Sequence, residues 1–167
     1  MSKPPITARE LIEFAAPKAA EMFEKTGELR PLWHVVCANG EHGIIAAPMG
    51  SGPEKDIVAF AMREAMKRLD AVACLFMCES WIRSAKPGDA DFDEFEHRRD
   101  LGRDPKRQEC LWFSAEDAEG NVTACQMIER PEGPDGPGRL QPLKMLDRVG
   151  RLEGRFVGML PVKGKGH

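Results

Sequence analysis

The chain has 167 residues, 42% of them hydrophobic and 31% charged, with a net charge of −3. That length and composition suit one soluble globular domain that folds without metal or disulfide staples. No apolar run approaches the ~18 residues needed to span a bilayer, the amino terminus lacks the pattern of a secretory leader, and the acidic balance argues against a bulk nucleic-acid binder. A cytoplasmic location with no membrane partner is expected.

The first helix is marked by Thr7 and Glu10, which have the spacing of a capping box, and by Ile6, placed to staple onto Leu11. Leu11, Phe14, Ala15, Ala19, Met22 and Phe23 recur at helical intervals, and Lys25-Thr26-Gly27 closes the segment. Pro17 lacks a donor and crowds the carbonyl of Glu13, so a kink or a restart is predicted there. Leu32–Cys37 and His42–Ala47 then read as a hairpin around Ala38-Asn39-Gly40-Glu41. A two-residue type I′ turn at Asn-Gly pairs Cys37 with His42, Val35 with Ile44 and Trp33 with Ala46. Pro53 opens a second helix whose predicted buried face is Ile57, Val58, Ala61, Met62, Ala65, Met66 and Leu69.

Ala71 to Cys78 carries no charge and ends in Glu79-Ser80, the pattern of a strand buried on both faces, and the span 71–82 is taken as the central strand. Ala71, Ala73, Leu75, Met77, Glu79 and Trp81 would share one face, with the alternate residues on the other. A long segment follows, in which residues 91–102 grade from acids to bases and read as a short helical insertion. Glu109–Ala115 and Val122–Glu129 form a second hairpin, with Gly120 free to take the left-handed residue of its turn. Residues 131–138, built from Pro, Gly and acids, read as an exposed, mobile loop, and two weaker apolar segments follow around Leu140–Leu146 and Phe156–Leu160. The expected architecture is α+β: a single mixed or mostly antiparallel sheet of five to seven strands, with two main helices on one face and the short insertion. Residues 1–162 would form one domain and 163–167 a flexible tail.

Cys37 facing His42 suggests an activated thiolate or a metal ligand, although the turn alone would bring the two together. Glu79, Trp81 and Arg83 close the central strand, where an acid beside an apolar wall suits a general acid or base. The plainer alternative is an ion pair between Glu79 and an arginine at the strand end. His97, in the insertion, is a further candidate to meet Trp81 and Arg83 around a ligand. Gly50-Ser51-Gly52 before a helix invites a phosphate, but the turn lacks a P-loop lysine and Glu54 and Asp56 repel anions. Asp89, Asp91, Asp93 and Glu96 do not fit a calcium loop, and the four histidines and five cysteines show no zinc spacing, so no metal or other cofactor is expected. The cysteines, Cys37, Cys74, Cys78, Cys110 and Cys125, read as reduced core residues. From Arg139 to His167 there are seven basic residues against two acids, a footprint for an acidic partner.

Glu79-Ser80-Trp81 ending one strand, Asp104-Pro105-Lys106-Arg107-Gln108-Glu109 entering another, and Ser114-Ala115-Glu116-Asp117 before a turn at Gly120 together resemble a pattern in small uncharacterised bacterial proteins. The resemblance spans residues 54–129. It implies that the second helix, central strand and second hairpin form one unit, and it carries over no activity and no site. The leading expectation is therefore a non-catalytic binding or accessory module with a protein or small-ligand partner. A small hydrolase or transferase using Cys37 with His42, or Glu79, comes second, and a nucleic-acid-associated protein acting through the basic end third. Exposed strand edges are compatible with a homodimer.

Overall fold

The computed structural model describes residues 6–47, 50, 52–83, 88–90, 105–146 and 158–161. In order these form α1 (Ala8–Thr26), β1 (Leu32–Cys37), β2 (His42–Ala46), α2 (Gly52–Arg68), β3 (Ala71–Ile82), β4 (Gln108–Asp117), β5 (Gly120–Glu129), β6 (Arg139–Leu140) and β7 (Lys144–Leu146). The seven strands make one antiparallel sheet in the order β2-β1-β3-β4-β5-β6, and β7 also pairs with β5. The fold is α+β, and its central strand is the one the uncharged run predicts. The insertion near residues 91–102 lies outside the described residues.

Sequence dictates α1 most directly. Thr7 accepts the Glu10 N–H, and the Glu10 carboxylate accepts the Thr7 N–H at 2.8 Å, completing the capping box. At the other end Gly27 takes φ +77° and donates to the Phe23 carbonyl at 2.7 Å, the left-handed stop that glycine reaches without a Cβ penalty. Pro17 does not end the helix, which is continuous through it. Glu13 and Pro17 both lie on the exposed side, where water satisfies the freed carbonyl.

The two helices do not share a face of the sheet, contrary to expectation. Leu11, Ile12, Ala15, Ala19 and Phe23 of α1 pack with Val36, Ala73, Leu75, Met77, Leu111, Phe113 and Ala124. Met62 and Met66 of α2 pack with Trp33, Val35, Cys74 and Phe76, the alternate residues of β1 and β3. Since successive strand residues point to opposite faces, the helices sandwich the sheet, which is why β3 is apolar on both parities. The alternation slips at one place. Val36 pairs with Ala73 but Cys37 with Ala71, so β3 holds one extra residue there, and Ala71 joins the α2 side while Val72 packs toward α1. The buried stripe of α2 is also narrower than its pattern suggested: Ala59, Met62 and Met66 are buried, whereas Ile57 and Leu69 face outward, 68% and 43% exposed.

Carboxylates of the second hairpin tie distant segments to this core. Asp117 accepts the Glu119 and Gly120 N–H groups within its own turn and, through its other oxygen, the Ala8 N–H at 2.6 Å. Glu116 accepts both the Met159 and Leu160 N–H groups at 3.0 Å, seating the buried Met159 on the α2 side. The Pro/Gly-rich span 131–138 is more organised than its composition suggests. Arg130 grips Glu109 with two nitrogens at 2.6 and 2.7 Å and donates to the Gly136 carbonyl at 2.8 Å. Gly138 lies where a Cβ would come within 2.8 Å of Ile128 Cγ2 and 2.9 Å of Phe23 Cζ.

Candidate functional site, a groove beside the first helix

One helix is about 10 Å across, enough to cover two or three strands spaced about 4.8 Å apart. The main contacts of α1 with the sheet are to β3, β4 and β5, which leaves its flank toward β1 and β2 open. The result is a groove of about 1380 Å³ between α1 and the first hairpin. Phe14, Lys18 and Met22 line it from the helix, His34 and Val36 from β1, and His42 and Ile44 from β2. Its apolar character comes with exposure: Phe14 is 47%, Met22 45% and Ile44 63% exposed.

The register of the first hairpin decides which groups meet there. Cys37 donates to the Glu41 carbonyl and accepts from the Gly40 N–H, both at 2.9 Å, closing a three-residue loop rather than the expected two-residue one. Gly40 alone in this loop has a positive φ, +85°, while Asn39 Oδ1 accepts the Glu41 N–H at 3.0 Å. A type I turn followed by a left-handed glycine replaces the type I′ turn. His42 therefore lies opposite Val36, and Ile44 opposite His34. This one-residue shift separates Cys37 from the position facing His42 and puts His34, Val36, His42 and Ile44 on one face.

The partner the register supplies to His42 is His34. Their ring nitrogens, His34 Nε2 and His42 Nδ1, are 2.8 Å apart. The Phe14 ring lies 5.9 Å from the first imidazole and 6.3 Å from the second, centroid to centroid, and the Lys18 ammonium sits 4.0 Å above Phe14. Burial, then the charges of His42 and Lys18, hold His34 below the usual histidine pKa. Which ring donates in this bond depends on the tautomer, and the tautomer likewise decides which of the two remaining ring nitrogens, His34 Nδ1 or His42 Nε2, is a donor and which an acceptor.

The other candidate residues are dispersed. Glu79 sits eight residues beyond Ala71 on β3, about 26 Å along the strand from the Cys37 end. Its carboxylate accepts the Leu29 N–H at 2.6 Å. Trp81 is 43% exposed and stacks under the Arg107 guanidinium at 4.3 Å, and Arg83 next to it is half-buried. His97, the acids of residues 91–96 and the basic Arg148, Arg151 and Arg155 lie outside the described residues. At the phosphate-like turn, Gly50 donates its N–H to Glu54 at 2.8 Å, so the chain's own carboxylate occupies that donor. Burial pushes the thiols of Cys78 and Cys110 up to about 11 and about 12 and raises those of Cys74 and Cys125, which favours the unreactive protonated form. Among the described residues, no three His, Cys, Asp or Glu side chains gather as a metal site, and no helix is long and apolar enough to cross a membrane.

Sequence reasoning passed over His34. Its signal was present, because it shares parity with Val36 in an otherwise apolar strand, but the assumed two-residue turn aimed His42 elsewhere. No protein-family model, curated protein or solved structure matches this chain.

Proposed function

We propose that this chain is a binding protein whose ligand lies in the groove between α1 and the first hairpin. The ligand has an elongated apolar body and an anionic or hydrogen-bonding head. The observation that carries this reading is the His34–His42 pair, a polar feature set among the apolar walls formed by Phe14, Met22, Val36 and Ile44. Ligand sites of this kind combine large apolar area with a few convergent polar groups that fix orientation. The imidazole pair offers a donor and an acceptor to the head, and the Lys18 ammonium on the same side favours negative charge. Cys37 and Glu79 enter this reading as groove rim and backbone anchor, not as a nucleophile and a base.

Anilinonaphthalene sulfonate, an apolar anion, is a direct probe. Saturable fluorescence enhancement is expected from the intact chain. Ile44→Glu and Met22→Glu, both at exposed groove positions, should weaken binding by ~10-fold or more, while Ile57→Glu on α2 leaves it unchanged. No enhancement, or loss of binding in the α2 variant instead, removes the groove as the site.

A further inference from the structure

Among the described residues, the sheet has two unlike edges. On one side β5 is met by two short strands, β6 and β7, of two and three residues. On the other, β2 is a regular five-residue strand, His42-Gly43-Ile44-Ile45-Ala46, with no Asp, Glu, Lys or Arg, no proline and no shift in its register with β1. Natural edges are normally blunted by one of those devices, and an unguarded apolar edge is a template for another strand.

The hydrogen-bond phase of β2 specifies which strand fits. Cys37 donates to Glu41 and Ala47 donates to Pro31 at 3.2 Å. Bonded pairs recur every two residues, so Gly43 and Ile45 turn their backbone groups toward β1. His42, Ile44 and Ala46 turn theirs outward. That spacing is symmetric about Ile44. An antiparallel copy of β2 centred there places Ile44 opposite Ile44, and each His42 opposite Ala46 of the other copy, and every outward donor meets an acceptor.

We propose that β2 joins β2 of a second copy of this chain in that register, about a dyad perpendicular to the sheet. The isologous contact extends the sheet across both subunits and covers the 63% exposed Ile44 with its twin. Both α1 helices then lie on the same face, and the two grooves open side by side. This assembly does not depend on the groove holding a ligand.

Sedimentation equilibrium without ligand, from low micromolar to submillimolar protein, tests it. A reversible dimer is expected, and amides of His42, Ile44 and Ala46 should gain exchange protection as concentration rises, whereas those of Gly43 and Ile45 are protected throughout. Ile44→Pro removes an outward donor while sparing the β1 ladder, and Ile44→Lys places a charge on the edge. Each should weaken association by ~10-fold or more with an unchanged far-ultraviolet spectrum. Phe60→Asp, on the exposed apolar side of α2, should leave the dimer intact. A monomer at every concentration, a dimer that survives both Ile44 variants, or one that Phe60→Asp dissolves overturns the proposal.

Discussion

The helices α1 and α2 are similar in length, 19 and 17 residues, yet α1 buries seven side chains and α2 three. Small residues account for much of the contrast. Ala8, Ala15, Ala16 and Ala19 let α1 settle close to the sheet, with Leu11, Ile12 and Phe23 filling the space between. On α2, Met62 and Met66 reach the sheet beside Ala59, while Ile57 and Phe60 point away. A helix seated along seven positions is a structural member. One held along a single thin stripe is a cover, and the difference should be measurable.

The largest effect is expected at the carboxyl end of α1. Phe23→Ala should cost about 3–5 kcal/mol in urea unfolding and Met62→Ala on α2 about 2 kcal/mol. Equal losses would erase the distinction between the helices. Next comes Gly138→Ala, where the added methyl would press on Phe23 and Ile128. Overpacking of this kind costs about 1–3 kcal/mol, and a neutral result would show that α1 is less firmly seated than its burial implies. The smallest effect concerns the open flank of α1. His34 is held below its ordinary value of 6.5 by burial, His42 and Lys18, so the unfolded chain takes up its proton first as pH falls. Stability should be full above pH 6.5 and decline below it, and His34→Gln should flatten that part of the stability profile. A wild-type curve unchanged by the substitution would mean that this flank is solvated like α2's outer side.

Where one local rule sufficed, the fold was legible in the residues. Thr7, Glu10 and Gly27 set the limits of α1, the uncharged run from Ala71 set β3, and apolar runs on either side of Asn39-Gly40 and of Gly120 set both hairpins. What escaped needed two elements at once. Assigning the helices to opposite faces requires knowing that the two parities of β3 are covered by different partners, which an all-apolar strand does not reveal. The stripe of α2 was drawn too wide because Ile57 and Leu69 are apolar whether or not a sheet lies beneath them. The candidate site turned on a single residue of register. Asn39-Gly40 signals a turn, but the sequence does not distinguish a two-residue loop from a three-residue one with a bulge, and that choice decides whether His42 meets Cys37 or His34. Of the two outcomes Pro17 allows, a restart is not the one taken, since α1 runs unbroken through it on the exposed side.

The bond between Ala8 and Asp117 joins residues 109 positions apart. A nascent chain therefore completes its best-marked helix long before the carboxylate that secures the start of that helix has been translated. The strands α1 rests on, β3 to β5, also emerge later, so its apolar stripe must wait exposed while two thirds of the chain is made. Premature association during that interval is a hazard for biogenesis, and the caps at the two ends of α1, which act on backbone groups, leave that stripe uncovered.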